Sequence, residues 1–181
     1  MGAYFSKYYF RGPFVLFGLP HLAALSFILL INLIIYRHRH RFTFANRRHI
    51  RWLLAAILLG FQSGWVIWLF AVDEANLRTA LPLHLCNLMV LISSVMLITN
   101  SRILFEYTYF LGSGGALVAL ITPDLTVYGF PHFLFFLTFI VHGSLLTAQV
   151  FMVFAENFRP TYKSLLKAFI AVNLYIPIIA P

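Results

Sequence analysis

Charge is what this sequence has least of. Of 181 residues only 10% are charged and 61% are hydrophobic. With a mean hydropathy of +0.87, that balance excludes a soluble globular domain. A single cysteine, Cys86, excludes an internal disulfide and leaves cysteine usage silent on redox compartment. No internal repeat is detectable. The first apolar run ends in arginines instead of a small-residue cleavage site, so no cleavable signal peptide is expected. No HxxxH or HExxH pair offers two metal ligands on one helix, and neither a metal nor another cofactor is expected.

What the chain does have is apolar length. Runs over residues 13–36, 52–72, 81–99, 103–122, 131–155 and 168–180 predict an all-α, polytopic transmembrane bundle of about six helices, treated as a single domain over residues 1–181. Twenty phenylalanines, nine tyrosines and three tryptophans suit lipid-facing helices with aromatic anchors. Pro20 is expected to kink the first span. The Gly112, Ser113, Gly114, Gly115 run is expected either to break the fourth span or to allow close contact. The sixth run stops without a polar flank, so either it ends at the far surface or the chain is a fragment of a longer one.

The formal charge of +8 is concentrated: Arg37, Arg39, Arg41, Arg47, Arg48 and Arg51 flank one connection. That placement reads as membrane topology, not nucleic-acid binding. With this loop inside, Arg102, Arg159, Lys163 and Lys167 join it, ten basic residues against Lys7, Arg11 and Arg78 on the other side. The amino terminus is therefore expected outside, in a multi-pass protein of the cell membrane, with loop 37–51 touching anionic lipid headgroups.

Polar groups inside membrane helices cost free energy, so they are either functional or hydrogen-bonded between helices. The third span opens Leu81, Pro82, Leu83, His84, Leu85, Cys86, Asn87 and sets an imidazole, the thiol and an amide close together. His84 and Cys86 are about 200° apart on a helix, so any base serving Cys86 comes from elsewhere. On the fifth span Thr138, His142, Gln149 and Glu156 share a face, which makes His142 a candidate general base with Thr138 or Gln149 to orient it or to bind a carbonyl. His132 and Asp124 flank the outer end of the same region. Gln62 and Ser63 lie at mid-depth in the second span, where Gly60 and Gly64 form a GxxxG suited to close packing. Cys86 also reads as a small packed hydrophobe, and each histidine as an interhelical hydrogen bond.

These strings, with Ala119 to Asp124, Pro131, His132, His142 and Gly143, resemble the YwaF-like bacterial integral membrane proteins over residues 52–173. The resemblance implies kinship with eukaryotic transmembrane enzymes that transfer acyl groups on ether phospholipids or hydrolyse fatty-acid esters. It implies His142 as base and Cys86 as acyl acceptor, with His84 as a further match. By position, His132 joins them as a catalytic candidate, and Asn87, Thr138, Gln149 and Asp124 are candidates to bind substrate. Two readings follow: an enzyme acting on membrane lipids in the outer half of the bilayer, or a carrier or transporter subunit with a midplane polar site. The three imidazoles are expected to converge on one pocket.

Overall fold

The computed structural model describes residues 3–9, 12–76 and 84–179. Among them a 3-10 turn, Ala3–Phe5, precedes six α-helices: α1 Leu19–His38, α2 Phe44–Ala71, α3 Leu85–Thr99, α4 Arg102–Ile121, α5 Phe133–Phe154 and α6 Tyr162–Ile179. No strand occurs among the described residues. α1, α2, α4 and α5 are each long and apolar enough to cross a membrane, and α3 is a shorter apolar helix. This is the expected all-helical membrane bundle.

Local chemistry sets the helix ends. Pro20 falls in the first turn of α1, where a missing N–H costs nothing, so it starts the helix instead of kinking it. Thr43 caps α2 by accepting from Asn46 N at 3.3 Å, and no breaker lies between there and Trp52. α2 therefore begins two turns earlier than its apolar run, and Arg47, Arg48 and Arg51 ride on helix. Asn100, left-handed at φ 53°, ends α3, and the Ser101 hydroxyl caps α4 one residue later. α4 runs unbroken through its glycines.

α5 is the hub, packed against α1, α2, α3, α4 and the 3-10 turn, while α6 leans on α4. In lipid the apolar effect does not drive helices together, so close packing and interhelical hydrogen bonds must. Gly143 of α5 permits one such approach: a Cβ there would lie 2.8 Å from Ile28 of α1. Asn32 of α1 then donates to Thr147 of α5 at 3.1 Å. At the arginine-rich end Arg51 pairs with Glu156, both side chains nearly buried, and its Nε donates to the Leu97 carbonyl at 3.1 Å.

Candidate functional site

A buried polar knot fixes how three helices are staggered. Gln149 of α5 donates from Nε2 to Ser93 Oγ of α3 at 3.3 Å, and its Oε1 accepts from Thr108 Oγ1 of α4 at 3.4 Å. Thr108 also meets Met96 of α3, and Gly112 of α4 faces Leu145 and Gln149. Along α4, rising numbers meet falling numbers on both α3 and α5: Thr108 meets Met96 while Gly115 meets Cys86, and Thr108 meets Gln149 while Leu120 shares a cluster with Leu134 and Phe135. Both neighbours are thus antiparallel to α4 and parallel to each other.

Cys86 lies seven residues before Ser93, and His142 seven before Gln149. Seven residues are nearly two whole turns, so each shares the face of its hydrogen-bonded partner and lies about 10 Å further along the axis. The thiol and the imidazole therefore occupy one level, on helices that point the same way. α4 confirms it from between: Cys86 Sγ lies 3.4 Å from where a Cβ on Gly115 would stand, and counting three residues on from the Gly112 contact with Leu145 reaches His142. Counted from the starts of their apolar runs, Cys86 falls within the first two turns of its span and His142 near the midplane, which predicts a difference in depth. The structure removes that gap because α5 starts further out than α3: its first turns pack against Trp68, Leu120 and Leu125 in a cluster of their own.

At this level His142 is half-buried and Nδ1–H donates to the Thr138 carbonyl at 2.8 Å. That bond to the preceding turn fixes the tautomer and leaves the lone pair on Nε2. It is the Thr138 carbonyl, not its hydroxyl, that orients the ring. No hydrogen bond joins His142 to Cys86, which is half-buried against the glycine run. The glycines are thus a close contact and not a helix break.

The other expected residues are dispersed. Leu81, Pro82 and Leu83 lie outside the described residues. His84 is the exposed residue preceding α3 and makes no capping bond; Asn87 is half-buried on the first turn. Asp124 is exposed in the α4–α5 connector. Gln149 is engaged in the knot. His132 is wholly buried and caps α5: Nδ1 accepts from Leu134 N at 3.1 Å and Nε2–H donates to the Ser6 carbonyl at 3.1 Å. Tyr128 stacks on it at 4.6 Å, with Tyr9 and Trp68 alongside. Burial pushes this imidazole below its ordinary pKa, and the Ser6 bond pulls in the opposite direction. No hydrogen bond or ring contact joins His84, His132 and His142 to one another. Among the described residues no three His, Cys, Asp or Glu side chains gather to hold a metal.

Sequence reasoning passed over Ser93 and Thr108, which carry the knot. The available signal was small hydroxyls on apolar helices, but such residues usually bond their own backbone, as Ser94 does to Val90. His21 of α1 is fully buried and donates to the Leu120 carbonyl at 2.8 Å, satisfying the last turn of α4.

The model of the TMEM164 family matches residues 16–181, all but the first fifteen. No curated protein and no solved structure matches the chain. The family match overturns the YwaF-like bacterial assignment drawn from the motif strings. Short proline, histidine and glycine strings recur wherever membrane helices begin or pack closely, so they discriminate poorly between families of similar architecture.

Proposed function

We propose that this protein, which belongs to the TMEM164 family, is a membrane enzyme that moves acyl groups of lipids through Cys86, with His142 as general base. The observation that carries the reading is the shared level of the thiol and the imidazole on parallel helices, beside a glycine that leaves the sulfur room. His142 Nε2 holds the free lone pair because Nδ1–H is committed to Thr138.

The chemistry follows from those atoms. Nε2 takes the thiol proton as sulfur bonds to the acyl carbon and the carbonyl electrons move to oxygen. When the tetrahedral species collapses, the C–O bond breaks, the lipid alkoxide leaves with the proton held on Nε2, and the acyl group remains as a thioester. An acceptor hydroxyl, from a second lipid or from water, then gives its proton to Nε2, attacks the thioester and returns the thiolate, which is reprotonated from His142. A lipid acceptor gives acyl transfer; water gives hydrolysis. A side-chain base of this kind supplies about 10²–10⁴-fold in rate.

By the distribution of arginines and lysines, the Cys86 level belongs to the non-cytoplasmic half of the cell membrane. Arg48, His49 and Trp52 line a surface groove on the opposite half, which suits anionic headgroups. The carrier reading rests on a glycine interruption of the fourth span, on Pro20 and on His, Gln and Asn side chains at depth; α4 is continuous and Pro20 starts α1, which leaves it the polar side chains.

The test is lipid turnover by the purified protein in nanodiscs, followed by mass spectrometry of acyl chains. Wild type is expected to redistribute or release acyl groups, and Cys86→Ala and His142→Ala to lose that activity. Wild-type turnover in both variants would remove the proposal.

A further inference from the structure

One amide at the Cys86 level has no task in the fold. Gln62 of α2 lies on the helix's inward stripe: it is eleven, seven and four residues after the buried Arg51, Ala55 and Leu58, and seven before the buried Leu69. Its depth follows from contacts at both ends of α2. Arg51 reaches the Leu97 carbonyl of α3, and Leu58 shares a core cluster with Met89 and Val90, so antiparallel counting brings Gln62 level with Cys86. Against α5, Gly64 faces Phe133 and Trp68 meets His132 edge-on, so antiparallel counting puts Gln62 level with residues 135–138, about one to two turns from His142.

Two other amides at depth are engaged, while Asn87, next to Cys86 on α3, is half-buried and makes no side-chain hydrogen bond among the described residues. Gln149 is tied to Ser93 and Thr108, and Asn32 donates to the Ile28 carbonyl and to Thr147. Gln62 is half-buried and makes no hydrogen bond among the described residues. An amide on the packed face of a membrane helix is costly to hold without partners, so an unengaged one at the level of the thiol has a ligand to meet.

We infer that Gln62 binds the acyl carbonyl oxygen of the lipid substrate, its side-chain N–H donating to the oxygen on which charge develops as Cys86 attacks. The inference rests on the acyl-transfer reading and adds the part that reading lacks. Thiol and base move a proton and form the S–C bond, and the oxygen that gains the electron pair needs a donor placed beforehand. Neither Ser93 nor Thr108 serves, because both lie in the knot about two turns further along. The reading selects lipid esters, with the carbonyl held between α2 and α3.

The experiment separates carbonyl chemistry from access to the thiol. Full-length protein in nanodiscs is treated with a long-chain p-nitrophenyl ester, which acylates Cys86 through a carbonyl. A parallel sample receives a long-chain alkyl methanethiosulfonate, which reacts with the same sulfur by disulfide formation and has no carbonyl. Both are read by intact mass, with Cys86→Ala as the blank. Gln62→Leu is expected to slow acylation about a hundredfold and to leave the methanethiosulfonate rate unchanged. Equal slowing of both reactions would make Gln62 a packing residue. Equal rates in Gln62→Leu and wild type would remove it from the site while leaving the role of Cys86 intact. If wild-type Cys86 accepts no acyl group, this inference and the proposed function fall together.

Discussion

Gln149 on α5 donates to Ser93 on α3 at 3.3 Å, and this bond between two parallel helices sets the level at which everything above it meets. Two turns up from each partner stand His142 and Cys86. Without the knot, α3 and α5 would have mostly apolar surfaces to choose between, and apolar surfaces slide against one another more readily than hydrogen-bonded ones.

Gln149→Leu should therefore cost more in alignment than in stability. Interhelical hydrogen bonds in membranes average about 0.6 kcal/mol and reach about 1.7, so the unfolding free energy in mild detergent should fall by about 1 kcal/mol. Lipid turnover should fall further than that loss of folded protein explains. Unfolding titrations and turnover measured on the same preparation give both numbers; equal, small losses would show that the knot does not align the site.

The glycines of α4 should separate by position. A Cβ on Gly114 meets nothing within 4 Å, so Gly114→Ala should stabilise the helix by up to about 1 kcal/mol. A Cβ on Gly115 already touches Cys86 Sγ at 3.4 Å, so Gly115→Val fills the space beside the sulfur. Displacement of a reacting group by about 1 Å costs on the order of a hundredfold in turnover. A Gly115→Val protein that keeps its rate would show that the sulfur reacts from another side.

His132 should make the amino-terminal segment sensitive to acid. Its folded-state pKa is lowered from 6.5, chiefly by burial, so the fold holds the neutral ring. Above about 6.5 the ring is neutral folded or unfolded, and its contribution is fully present. As pH falls from there toward the lowered folded value, the unfolded chain gains a proton that the folded chain refuses, and stability drops. Tyr9, Trp68 and Tyr128 surround the ring, and Lys7, ion-paired with Glu74, lies on the segment whose Ser6 carbonyl it holds. Protection factors of residues 3–9 in hydrogen exchange, corrected for the intrinsic pH dependence of the amide rate, should fall between pH 6.5 and 5, and His132→Gln should flatten that dependence. Retention of the full dependence in the variant would place its origin elsewhere.

Arg51 and Glu156 should behave as a buried pair. Glu156→Gln leaves a guanidinium with little access to water, and losing one partner of such a pair costs about 3–5 kcal/mol. Pairing it with Arg51→Met should recover much of the loss, because the uncompensated charge is then gone. A double variant no more stable than Glu156→Gln would mean that the Arg51 bond to Leu97, not the ion pair, holds this end together.

The number of helices and their inward faces were written in local sequence. Hydropathy marked six apolar runs, and a spacing of seven put His142 on the face of Gln149. Even the helix ends were legible where a side chain caps them, as Ser101 does α4. Pro20 looks like a kink in the sequence because a run of apolar residues hides where its helix starts.

What only the tertiary structure decided is who meets whom. The offset of α5 relative to α3, which brings Cys86 and His142 to one level, depends on Ser93, Thr108 and Gln149 finding each other across three helices. The withdrawal of His132 into a cap over α5 depends on a carbonyl at Ser6, 126 residues away. A helix's own sequence specifies its period and its greasy side through contacts within a few residues. Its shift along a neighbour comes from side chains on another segment, and nothing local encodes that.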